Sequence, residues 1–109
     1  MITAQEAKAI SVQAKIDYIN VINKFIKSKL SKELCCITKD AASKGLTGGS
    51  LIFDASKYKV MKYLPISELQ TIGECIVKFL EDLGYDLVYF DRMIGTSYEL
   101  KIVWHWGGN

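Results

Sequence analysis

The chain has 109 residues, half of them apolar, with 14 basic and 12 acidic side chains and a formal net charge of +2. That length predicts a single domain, residues 1–109, able to bury roughly 65 % of its unfolded surface without metal or disulfide support. The composition excludes a disordered chain, and so small a net charge argues against a nucleic-acid partner.

Charge is nonetheless unevenly spread. Residues 1–44 carry eight lysines against Glu6, Asp17, Glu33 and Asp40, and the remainder is slightly acidic. Self-association is one way for such a two-sided molecule to satisfy both faces. The opening Met1-Ile-Thr-Ala-Gln-Glu6 lacks the basic and apolar regions of a secretory signal, and no apolar run approaches the ~20 residues that span a bilayer. Three cysteines, Cys35, Cys36 and Cys75, are an odd count that fits reduced thiols. On a helix Cys35 and Cys36 diverge by about 100°, which opposes a mutual disulfide. A cytoplasmic protein without a membrane partner is expected.

Thr3-x-x-Glu6 reads as a capping box opening a helix. Neither Pro nor Gly then interrupts the chain until Gly45, a natural stop. Val12, Ile16, Ile19, Ile22 or Phe25, Ile26, Leu30, Leu34, Ile37 and Ala41 recur at helical steps. Ala14, Tyr18, Val21 and Phe25 add a second strip that widens the apolar sector. Ser31 offers a local cap, so the segment is one long helix or two with a bend near residues 28–32. A stripe this long and wide exceeds what a small sheet covers. It predicts a homo-oligomer formed through the N-terminal helix.

Gly45–Ser50 is a flexible loop, and Leu51–Phe53 begins a strand expected to run towards Val60. Residues 56–63 fit either extended chain or a short helical turn, and we take them as extended. Pro65 and a second capping box, Ser67-x-x-Gln70, precede a helix whose inward face is Leu69, Ile72, Ile76, Phe79, Leu80 and Leu83. Gly84 fits the position after the helix end, with Tyr85 touching Leu80. Asp86–Arg92 is a strand, Met93–Ser97 a hairpin loop around Gly95, and Tyr98–Trp106 the closing strand. In the last, Tyr98, Leu100, Ile102, Trp104 and Trp106 alternate with Glu99, Lys101, Val103 and His105, the period of a half-buried strand. Val88, Phe90 and Val103 are expected on the sheet face away from the helices, covered by the second half of the long helix or by another subunit. The fold class is α+β: a long N-terminal helical region, a strand, a helix and a C-terminal β-hairpin forming a small three-stranded sheet packed by helices.

Few residues carry readable chemistry. Lys44-Gly-x-x-Gly-Gly-Ser50 has the glycines of a phosphate loop, but it leads into a strand rather than a helix N-terminus and reads as a connector. His105 is the only histidine, so no His-rich metal site forms, and a zinc site would need all three cysteines at unsuitable spacing. Cys36 and Cys75 lie in apolar helical stretches where thiols are inert. No metal, no cofactor and no catalysis are expected. Trp106 at the sheet edge can stack on a base while His105 or Arg92 meets a phosphate; the plain alternative is an exposed strand end. Lys57, Lys59 and Lys62 interleave with Tyr58 and Tyr63, which suits nucleotide binding and equally a solvated strand. The candidate ligand contacts are therefore Trp106, His105, Arg92, Lys57 and Tyr58.

Three stretches carry a resemblance: Ile2-Thr-Ala-x-Glu-Ala7, a Ser-capped helix ending Leu83-Gly-Tyr85, and a last alternating strand ending in Trp. In these the chain resembles a diffuse group of small accessory proteins of tailed bacteriophages and prophages. It departs from their shorter members by its extended first helical region and the Lys57–Tyr63 insertion. The resemblance implies a phage accessory protein in the host cytoplasm, and many of these counter host defence. It carries no functional residue across. Two functions follow as expectations: an oligomeric sponge that sequesters a nucleotide-derived immune signal such as a cyclic nucleotide or ADP-ribose derivative, or an inhibitor docking on a host protein.

Overall fold

A computed structural model describes residues 1–57, 69–95 and 98–107. Residues 4–43 form one continuous helix of 40 residues. It comprises α1 (Ala4–Phe25), a π-helical segment Ile26–Leu30, and α2 (Ser31–Ser43). Thr3 caps its start, its hydroxyl oxygen accepting from the Glu6 N–H at 3.1 Å. Ser31 is not a cap, contrary to the sequence reading. Its hydroxyl donates to the Lys27 carbonyl at 2.7 Å, while its N–H reaches the Ile26 carbonyl five residues back. The expected irregularity at 28–32 is thus an extra residue accommodated inside the helix rather than a break, and it turns Leu34 onto the core side below Ile26 and Leu30.

The helix ends in a Schellman stop. Gly45 takes φ +79°, and the Leu46 N–H donates to the Ala41 carbonyl at 3.0 Å. β1 (Gly48–Asp54) follows and closes in a 3₁₀ turn, Ala55–Lys57, so the strand does not run on past Asp54 as expected. The cause is local: the Asp54 carboxylate accepts from the Ser56 N–H at 2.9 Å and from its hydroxyl at 2.6 Å, which folds the backbone back. Our readings for residues 58–68, including the second capping box, lie outside the described residues. The second long helix, α3 (Leu69–Asp82), ends as predicted, with Gly84 at φ +95° and the Tyr85 N–H on the Leu80 carbonyl at 3.2 Å.

β2 (Asp86–Arg92) and β3 (Glu99–His105) complete an antiparallel sheet of order β1-β3-β2. β3 is central because its alternation is the cleanest: Leu100, Ile102 and Trp104 are fully buried. They meet Phe53 and Leu51 from β1, and Ile22, Ile26, Leu34, Ile72 and Ile76 from the helices. Burying each such side chain contributes about 1.5–3 kcal/mol against leaving it in water. Phe90 and Val88 also pack on this core, which corrects the expectation that they face away. A register shift between Asp86 and Tyr89, with Leu87 at φ +50°, turns them inwards. Val103 does lie on the outer face. The opposite end of the molecule is bare helix: of the 22 residues of α1 only Ile22 and Phe25 are buried, and the molecule measures 61 × 29 × 23 Å. Among the described residues no helix is long and apolar enough to cross a membrane.

Candidate functional site

The closing strand distributes its three aromatic and imidazole side chains to three tasks. Trp104 belongs to the core, its indole N–H donating to the Thr38 hydroxyl on α2 at 2.9 Å. That bond satisfies a polar group which would otherwise be buried without a partner. Trp106 is half-buried and meets Tyr85 edge to face, with ring centroids 6.2 Å apart. His105 lies over Gly48, where a Cβ would come within 2.8 Å of the imidazole, so only glycine leaves room for the ring. Its Nδ1 lies 3.3 Å from the Leu87 carbonyl oxygen. A carbonyl only accepts, so in this contact Nδ1 is the atom that would donate.

The other candidate residues are elsewhere. Arg92 pairs with Leu100 and His105 with Asp86, so they sit at opposite ends of the sheet, roughly 17 Å apart along β3. Lys57 follows the β1 end that pairs with Glu99 and therefore lies at the Arg92 end. There the Ser56 hydroxyl, against an opposing effect of burial and with help from the Ser56 backbone N–H and then the Lys57 charge, holds the Asp54 carboxyl below its usual range. Tyr58 is outside the described residues. The four described candidates thus divide into Trp106 with His105 at one end and Arg92 with Lys57 at the other. They do not converge on one site.

Two concavities offer what the dispersed set lacks. One, of about 710 Å³, is an apolar cleft between α2 and α3, lined by Leu34, Cys35, Phe79, Leu83 and Tyr85 with Lys32 and Lys39 also on its wall. Trp106 buttresses it indirectly by fixing the Tyr85 ring. The other, of about 450 Å³, is a shallow hollow on the outer sheet face that brings His105 to Tyr89 and Lys101. The cleft escaped the sequence reading because its walls are far apart in the chain. The available signal was that Leu34 and Leu83 extend two apolar stripes beyond what three strands cover.

Cys35 and Cys36 are exposed beside this cleft, while the Cys75 thiol is pushed up by burial and, less, by the Glu74 charge. His105 occupies the outer sheet face, so no imidazole reaches the cleft thiols. Among the described residues no group of three His, Cys, Asp or Glu side chains could hold a metal ion.

These features define a small α+β protein with an apolar cleft and a protruding helix. Set against protein-family models, curated proteins and solved structures, the chain matches none of them.

Proposed function

We propose that the protein is a non-enzymatic binding protein of the phage accessory kind, which sequesters a nucleotide-derived host immune signal. The observation that carries this reading is the 710 Å³ cleft, whose aromatic Phe79 and Tyr85 are accompanied by Lys32 and Lys39. A base or sugar would occupy the apolar part and phosphates would meet the ammonium groups. Capture without cleavage fits the position of His105, which is bonded to a carbonyl on the far face of the sheet. Calorimetry against cyclic dinucleotides and ADP-ribose derivatives tests the proposal. Binding should weaken roughly tenfold in Lys32→Glu/Lys39→Glu, in line with the loss of charge-assisted contacts, and vanish when Leu83→Trp fills the cleft. Tyr89→Ala, on the outer hollow, should leave it unchanged. Silence across the whole ligand set would sink the reading; loss in Tyr89→Ala alone would move the site to the sheet face.

A second reading, inhibition of a host protein, is favoured by one observation, the exposed Ile10, Val12, Ile16 and Val21 on α1. It predicts a stoichiometric host partner that dissociates when Ile16 is replaced by Glu.

A further inference from the structure

Lys32-Glu-Leu-Cys-Cys-Ile-Thr-Lys-Asp40 on α2 gives two adjacent thiols different electrostatic surroundings. Residues three and four apart on a helix are surface neighbours, with Cβ atoms about 5–6 Å apart. The four such neighbours of Cys35 are Ser31, Lys32, Thr38 and Lys39, two cations and no anion. Those of Cys36 are Lys32, Glu33, Lys39 and Asp40, whose charges cancel. Asp40 pairs with Lys44 at 3.0 Å, but Lys44 stands eight residues beyond Cys36, so the carboxylate is the nearer group. Both thiols are exposed and both line the apolar cleft. Among its described lining residues the charged ones are Lys32 and Lys39, and neither Glu33 nor Asp40 belongs to the wall. Cys75 is half-buried and lies outside that lining.

We propose that Cys35 is a covalent modification site for small anionic disulfides, and that the adduct closes the cleft. The two ammonium groups draw the anionic reagent to Cys35 and raise its local concentration there. The Cys35 thiolate attacks one sulfur, and the reagent's S–S bond breaks as the new one forms. The displaced half leaves as a thiolate and takes up the proton that Cys35 gave up. The disulfide is itself the oxidant, so the step calls on no metal or imidazole. The adduct persists because Cys36 diverges from Cys35 by about 100° on the helix and is poorly placed to displace it. Phe79 and Leu83 form the facing wall of a space of about 710 Å³, which a tripeptide-sized group on Cys35 would occupy. Modification would thus regulate the cleft, a consequence that rests on the nucleotide reading above; the thiol chemistry does not.

Two probes of opposite charge test it: oxidised glutathione, which is anionic, and cystamine, a dicationic disulfide. Cys36→Ser and Cys35→Ser each leave one exposed cleft thiol, and mass spectrometry follows adduct formation in each full chain. At low salt, glutathione should add to Cys36→Ser about tenfold faster than to Cys35→Ser. With cystamine the preference should fall to parity or reverse, and about 1 M salt should erase it for both probes. Equal glutathione rates at the two thiols, or the same preference with cystamine, overturn the site. Closure is read with 8-anilinonaphthalene-1-sulfonate, an anionic aromatic dye. The part of its fluorescence lost in Leu83→Trp belongs to the cleft, and glutathione on Cys36→Ser should remove that same part. Undiminished dye binding by the modified protein overturns closure. If the unmodified chain binds no nucleotide, the functional reading fails, while the rates and the dye still decide this proposal.

Discussion

Gly73 on α3 sits against the ring of Phe90 on β2, and a Cβ built there would lie 2.5 Å from two ring atoms. Alanine would gain about 1 kcal/mol of helix propensity. It would also force the strand or the ring outwards, an overpacking cost of about 1–3 kcal/mol. The second effect should win, so Gly73→Ala lowers the urea midpoint, and adding Phe90→Leu recovers part of the loss. Asp54 gives a test in pH. Its folded carboxyl lies below the ordinary value of 3.8, first because the Ser56 hydroxyl bonds the ionised form. The stabilising effect is present above that ordinary value and is lost as pH falls through the lower folded one. Ser56→Ala should bring the Asp54 titration, followed by carboxyl NMR, back up towards 3.8 and remove this acid-limb dependence. The single histidine shows what was legible at this scale and what was not. Alternation put His105 on the face opposite Trp104, which holds. Its carbonyl contact at Leu87 depends on a strand irregularity that no local pattern announces.

At the level of elements, the helix ends were the most readable features. Thr3, Gly45 and Gly84 act through bonds to residues three to five positions away, so their spacing in the chain is their geometry. The 3₁₀ turn after β1 was missed, although Asp54-x-Ser56 is itself a turn signal, because the lysine–tyrosine alternation beyond it mimics a strand. The long helix divides into a part that is held and a part that is not. Gln13→Pro removes a backbone bond and introduces a clash worth about 3 kcal/mol in a helix interior. In the bare part of α1 that cost should be confined: far-ultraviolet helicity falls while the urea midpoint of the body barely moves. Ile22→Ala, at a side chain 0 % exposed, should instead lower global stability by about 2–5 kcal/mol. Equal midpoint shifts for the two variants would show that the bare part of α1 folds cooperatively with the core.

For the whole molecule, the two-sided charge distribution and surplus apolar helix surface acquire a shape. The basic residues of the first 44 positions are concentrated around residues 24–29 and along the cleft wall, both formed by the same helix. An oligomer formed through the N-terminal helix links folding to assembly by mass action, so on that expectation the thermal midpoint of wild type should rise with protein concentration. Ile16→Glu should show a midpoint independent of concentration. Differential scanning fluorimetry over a wide dilution series reads the difference directly.

Periodicity and caps sufficed to determine the α+β class, the order of elements, the helix stops and the hairpin. These are properties of residues within a few positions of one another, where spacing alone fixes which side chains share a face. Only the tertiary structure decided that Val88 and Phe90 turn inwards, that His105 and Arg92 stand at opposite ends of the sheet, and that α2 and α3 leave a cleft between them. Each of those depends on strand register or on the approach of distant helices. One irregular residue at Leu87 or one extra residue in the first helix rotates every face beyond it, and the pattern of the chain does not record where that rotation falls.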